Sequence, residues 1–103
     1  MDRIALLTQV LEQNPADAFA RYGLAMAHAA EGHTDQALAE FATLIEYNPD
    51  YVPAYQISAQ TLAKLNRNEE AVAQLNAGLT AAQRTKKAHA SSEMQALLDD
   101  LTN

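Results

Sequence analysis

Residues 14–49 read NPADAFARYGLAMAHAAEGHTDQALAEFATLIEYNP, a segment that opens and closes on the same Asn-Pro pair. The recurrence sets a period of 34 residues. At that offset Ala20 falls on Ala54, Ala25 on Ala59 and Ala37 on Ala71, while Asp35, Leu38 and Phe41 fall on Glu69, Val72 and Leu75. Gly32 falls on Asn66, and asparagine is second only to glycine at a left-handed helix end. Read backwards, the offset carries Ile4, Leu7, Val10 and Leu11 onto Leu38, Phe41, Leu44 and Ile45. The first residues therefore read as the second helix of an incomplete unit.

Each unit divides into two helices. The first spans about Asp17 to Ala30 and stops at Gly32. The second starts near Thr34 or Asp35, whose side chains suit a cap, and ends at Tyr47 before Asn48-Pro49. In the next unit Pro53 belongs in a first helical turn, where a missing N–H costs nothing. Asn68 is expected to cap the following helix, with Glu69 and Glu70 favouring the positive end of its dipole. Gln83 stands where a further Asn-Pro would end that helix, so it is expected to run on to Thr85–Lys87. A last helix over His89–Leu101 carries Met94, Leu97, Leu98 and Leu101 on one stripe, with His89 at the break before it as a candidate cap. In the joint YNPDYVPAY (47–55), Tyr47 closes a helix, and Tyr51 either packs over the connection or reaches a partner.

Composition agrees with an all-α chain. Of 103 residues, 49% are hydrophobic, six are aromatic, and there are only three glycines and three prolines. Thirteen acids against seven bases give a net charge of −6, which opposes non-specific binding to nucleic acid or an anionic membrane. The chain has no cysteine, so neither a disulfide framework nor a thiolate metal site is available; this suits a cytoplasmic protein. The start has no apolar block with a small-residue cleavage site, and no stretch approaches a membrane span.

A 34-residue helix–turn–helix unit of this kind resembles the tetratricopeptide repeat (TPR). The second-helix half matches through Ala37, Phe41 and Pro49. In the first half Arg21 stands where tryptophan is common, followed by Leu24, Ala25 for glycine and His28 for tyrosine. In the second unit Tyr55, Ala59 and Leu62 take these places, then Ala71 and Leu75; Ser58 and Gln83 depart from the pattern. The resemblance implies antiparallel helix pairs stacked as a short right-handed superhelix of about six helices. It implies one domain over 1–103: a half-repeat helix (1–13), repeats over 17–47 and 51–86, and a capping helix (89–101). Small residues at 25, 37, 59 and 71 let helix backbones approach closely, and Gly78 serves the same purpose toward the next element.

The family generally binds peptides or partner helices in a groove lined by first helices. Carried onto this chain, the groove positions are Phe19, Tyr22 and Met26, then Gln56, Gln60 and Lys64, with Pro53 at the edge. That set is semi-apolar with amide donors and suits an extended or helical peptide. Phe19 and Met26 would equally serve as packing against neighbouring helices. The Lys/Asn clamp that some members use on chaperone tails is missing, because its places hold Tyr22, Met26, Gln56 and Gln60. A lone lysine such as Lys64 is usually a solvated helix end.

Other polar groups read as structure. His28 and His33 lie five apart with Gly32 between them and lack a third ligand, so no metal or other cofactor is expected. Glu69-Glu70 and Asp99-Asp100 are sequence neighbours and point to different sides of a helix. Arg84, Lys86 and Lys87 suit a helix C-terminus, and an RNA-binding reading conflicts with the acidic balance. The chain is expected not to be an enzyme. It reads as a non-catalytic module binding a protein or peptide partner, with no nucleic-acid or membrane partner. The alternative is a homodimeric scaffold joined through exposed terminal helices, with Leu6 or Val10 on the uncovered face.

Overall fold

The computed structural model describes residues 2–103. Those residues form six α-helices and no strand: α1 (Arg3–Gln13), α2 (Ala18–Ala30), α3 (Thr34–Tyr47), α4 (Val52–Lys64), α5 (Asn68–Arg84) and α6 (Ala88–Thr102). They gather into two compact units, one reaching to Asn48 and the other spanning Pro49–Asn103.

In the first unit α2 packs against both α1 and α3. Leu11, Ala20 and Leu24 form one core cluster, with Ile4 and Leu7 against its edge. Ala25 and Ala37 are wholly buried, and Phe41 and Leu44 fill the space beside them. Methyl side chains at 25 and 37 let α2 and α3 close on one another, and Phe41 is fully enclosed in the same unit. In the second unit α5 packs between α4 and α6. Ala59 and Ala71 repeat the buried alanine pair, Leu75 takes the place of Phe41, and Met94 anchors α6. A Cβ at Gly78 would lie 2.7 Å from Met94 Sδ and 2.7 Å from Tyr55 Cβ. The missing side chain is thus what admits α4 and α6 to the same stretch of α5.

The turns fall into two kinds. After α1 and α3 the chain leaves through Asn14 and Asn48, whose backbones agree closely (φ −143, ψ 86 and φ −142, ψ 82). After α2, α4 and α5 it passes instead through a left-handed residue: Gly32 (φ 78), Asn66 (φ 60) and Lys86 (φ 60). Each of these ends has the paired bonds of a Schellman turn. The outer bonds run from His33 N–H to the His28 carbonyl (2.8 Å), from Arg67 to Leu62 (2.9 Å) and from Lys87 to Ala82 (2.8 Å). Gly32 and Asn66 therefore act as their sequence positions indicate. Lys86 is a third such stop that the repeat did not foretell.

Helix starts differ from expectation in detail. Asp2 and Asp17 cap α1 and α2, accepting from Ala5 N–H (2.8 Å) and Ala20 N–H (3.0 Å). Thr34 and Asn68 are not caps: each is the first residue of its helix, and His33 and Arg67 precede them without a side-chain cap bond. His89 likewise lies inside α6 rather than capping it. In all three the preceding Schellman turn fixes the chain direction, so helix entry follows without a side-chain hydrogen bond from the N-cap residue.

Candidate functional site

The two first helices present different surfaces. On α2, Phe19 is 83% exposed and Met26 37% exposed. Tyr22 lies between them in sequence but turns its ring edge toward Phe41, with centroids 6.1 Å apart at 61°. Met26 also lines a cleft of about 280 Å³ with Asp2, Arg3 and Ile4 at the start of α1. On α4, Pro53, Gln60 and Lys64 are exposed and Gln56 is half-buried. The Gln56 amide donates to Glu93 Oε1 of α6 at 3.2 Å. The structure thus leaves two apolar groups in water on α2 and a row of polar groups on α4.

Within the second unit the start of α4 and the α5–α6 turn enclose an open cleft of about 620 Å³. Asp50, Tyr51, Val52, Pro53 and Gln56 line it from one segment and Lys86, Lys87, Ala88, His89 and Ala90 from the other. Sequence spacing missed this cleft because its walls are more than thirty residues apart. The one local signal was a lysine where the two earlier Schellman turns have glycine and asparagine.

Most guanidinium groups are already engaged. Arg21 Nη1 donates to Glu40 (2.6 Å) and its Nη2 to the Pro15 carbonyl (2.9 Å), while its Cζ sits 5.6 Å from the centre of the Tyr47 ring. Arg84 pairs with Asp50, its Nε donating at 2.7 Å. Arg67 makes two bonds to Glu70, which hold that exposed carboxyl below its ordinary range. The Tyr55 hydroxyl donates to the Pro49 carbonyl at 2.7 Å. Burial pushes its pKa above the ordinary value, Arg84 opposes the shift, and Asp50 adds to it.

The histidines come closer than their spacing suggested. The Schellman turn at Gly32 brings His28 Nδ1 and His33 Nδ1 to 3.4 Å. Two nitrogens at that distance share one hydrogen bond, and among the described residues no third metal-ligating side chain joins them. No helix of the described residues is long and apolar enough to cross a membrane. Ser58, the one buried polar residue among the described residues, accepts from Gln74 Nε2 at 3.3 Å and so is satisfied within the helix pair.

The tetratricopeptide repeat family model matches residues 4–58 and 29–98. The chain belongs to the tetratricopeptide repeat family. A TPR domain protein from Salinibacter ruber is 30% identical with a TM-score of 0.80, the match covering 86% of this chain and 90% of that one. The TPR2B domain of yeast Sti1, solved in complex with pHsp70, is 22% identical at a TM-score of 0.85, with 96% and 79% of the two chains covered. PcrH, solved with the chaperone-binding region of PopD, is 15% identical at a TM-score of 0.87, with 96% and 75% covered. These last two likenesses bear on the fold alone. No curated protein matches the sequence. The TPR assignment accounts for the buried alanines and the paired Asn-Pro exits as the packing and punctuation of two repeats.

Proposed function

We propose that this TPR chain is a non-catalytic adaptor that binds a peptide or helix of another protein on the exposed faces of α2 and α4. The observation that carries the reading is Phe19: a phenylalanine 83% exposed on a first helix contributes little to its own fold. A ring left in water forgoes about 1.5–3 kcal/mol of burial, which a partner would recover. Met26 two turns along supplies a second, adaptable apolar contact. Gln56 and Gln60 supply amides for a peptide backbone, with Pro53 and Lys64 at the ends of that row. The same fold was solved with a protein partner in the Sti1 domain with pHsp70 and in PcrH with the chaperone-binding region of PopD, and a partner of that kind is in keeping with this reading. The test is a pull-down from the native lysate with the wild-type chain and a Phe19→Ser, Gln60→Ala variant, followed by NMR mapping with the captured protein. Binding that the variant loses, with shifts on α2 and α4, supports the reading. Shifts confined to α3 and α5 would overturn it.

A second reading is self-assembly through α1, favoured by Leu6 at 51% and Val10 at 42% exposure on one helical face. An isologous pair would cover both residues in each copy. Sedimentation that gives only monomer at high concentration would remove it.

A further inference from the structure

We propose that the cleft between the start of α4 and the α5–α6 turn receives an acidic segment of the partner, with an apolar side chain seated beside its Asp or Glu residues. This rests on the adaptor reading and names the chemistry of the bound peptide.

Three observations converge. First, half of the lining is apolar: Tyr51, Val52 and Pro53 at the start of α4 and Ala88 and Ala90 in α6 border about 620 Å³, space for one large side chain and its backbone. Second, the charge of its lysines is unspent. The three arginines near carboxylates are paired with Glu40, Glu70 and Asp50, whereas among the described residues Lys86 and Lys87 have no ion-pair partner. Asp50 itself lines the cleft, but its carboxylate is paired with Arg84, and Glu93 is engaged by Gln56 and His89. The first turn of α6 has no acidic residue and no side-chain cap, so it adds to the positive field. Third, Lys86 is held at φ 60, where the matching turns have Gly32 and Asn66. A lysine there is strained relative to glycine, so its presence is not explained by the turn.

The net charge of −6 would repel an acidic partner at long range. That field is screened beyond a Debye length of about 8 Å at physiological salt, whereas two lysines in contact with a carboxylate act within it. The local cations therefore decide the sign of the interaction.

Display of random 12-residue peptides against the wild-type chain tests the proposal, with fluorescence anisotropy on the selected peptides. The expected result is enrichment of Leu, Ile or Phe beside Asp or Glu, with affinity falling about fivefold when the acids become Asn and Gln. The double variant Lys86→Gly, Lys87→Gln should lose affinity to the same degree while its unfolding midpoint does not fall, because glycine suits φ 60. Selected peptides without acidic bias, unaffected by the lysine changes but weakened by Phe19→Ser, would overturn this inference and leave the adaptor reading standing. A dimer of the chain that the lysine changes dissolve would overturn it in favour of a second copy as occupant. Selection of no peptide at all would overturn both readings.

Discussion

Tyr55 and Arg21 stand 34 residues apart and hold corresponding carbonyls by different chemistry: the Tyr55 hydroxyl donates to Pro49 at 2.7 Å, and Arg21 Nη2 donates to Pro15 at 2.9 Å. Each bond ties a first helix to the Asn-Pro exit before it. Arginine replaces an aromatic by laying its guanidinium near Tyr47 and spending its charge on Glu40. Its Nε nevertheless remains buried without an acceptor, a cost that an aromatic ring would not carry.

Removing these ties should loosen each unit. Tyr55→Phe removes one hydrogen bond and leaves the Pro49 carbonyl without it, so a loss of about 1 kcal/mol is expected in urea unfolding. Arg21→Ala removes packing, an ion pair and a carbonyl bond together, and about 2 kcal/mol is expected. Equal or greater stability for Arg21→Ala would show that the unsatisfied Nε outweighs the three contacts.

The Tyr55 hydroxyl also sets an alkaline limit. Burial holds its folded pKa above the ordinary tyrosine value of about 10, so the native state holds this proton more tightly than the unfolded chain does. The stabilisation is fully present below pH 10 and is lost as pH rises through the folded pKa. Unfolding midpoints measured from pH 8 to 11 should therefore fall more steeply for wild type than for Tyr55→Phe. Parallel curves would contradict the burial account.

Gly78 is a point of close helix approach in the second unit. In Gly78→Ala the new methyl meets Tyr55 Cβ, which is fixed to its backbone, as well as the flexible Met94 thioether. Methionine alone could yield, but the Cβ cannot, so α4 and α5 must separate at about 1–3 kcal/mol. Hydrogen exchange should show faster opening of α4 and α5. An unchanged pattern would mean that the helices are less closely packed than the distances imply.

Two left-handed positions should respond in opposite senses. At Gly32 a Cβ meets nothing within 4 Å, so Gly32→Ala is strained by conformation alone and should lose about 1 kcal/mol. Lys86→Gly relieves the same strain but gains unfolded-chain entropy, leaving a net rise of a few tenths to about 1 kcal/mol. Calorimetry of both variants checks the signs together.

Phe19→Ser should leave stability within about 0.5 kcal/mol of wild type, since the ring is mostly in water. A loss several times larger, read from the same unfolding curves, would assign Phe19 to packing and remove the main support for the α2 surface.

The period of 34, the buried pairs Ala25/Ala37 and Ala59/Ala71, and the stops at Gly32 and Asn66 were all determined by the sequence by itself. They are local demands: a helix end needs a left-handed residue, and a close helix contact needs a small one, whatever surrounds them. The tertiary structure alone decided which polar residues became partners. Arg21 reaches Glu40 across nineteen residues and Arg84 reaches Asp50 across thirty-four, so both were absent from any helical spacing. The Schellman turn, not an N-capping side chain, aims α3, α5 and α6, and it brings His28 and His33 together. It also sets Lys86 and Lys87 beside the first turn of α4. Side-chain direction at a turn depends on the backbone path in three dimensions, and composition or periodicity carries no record of it.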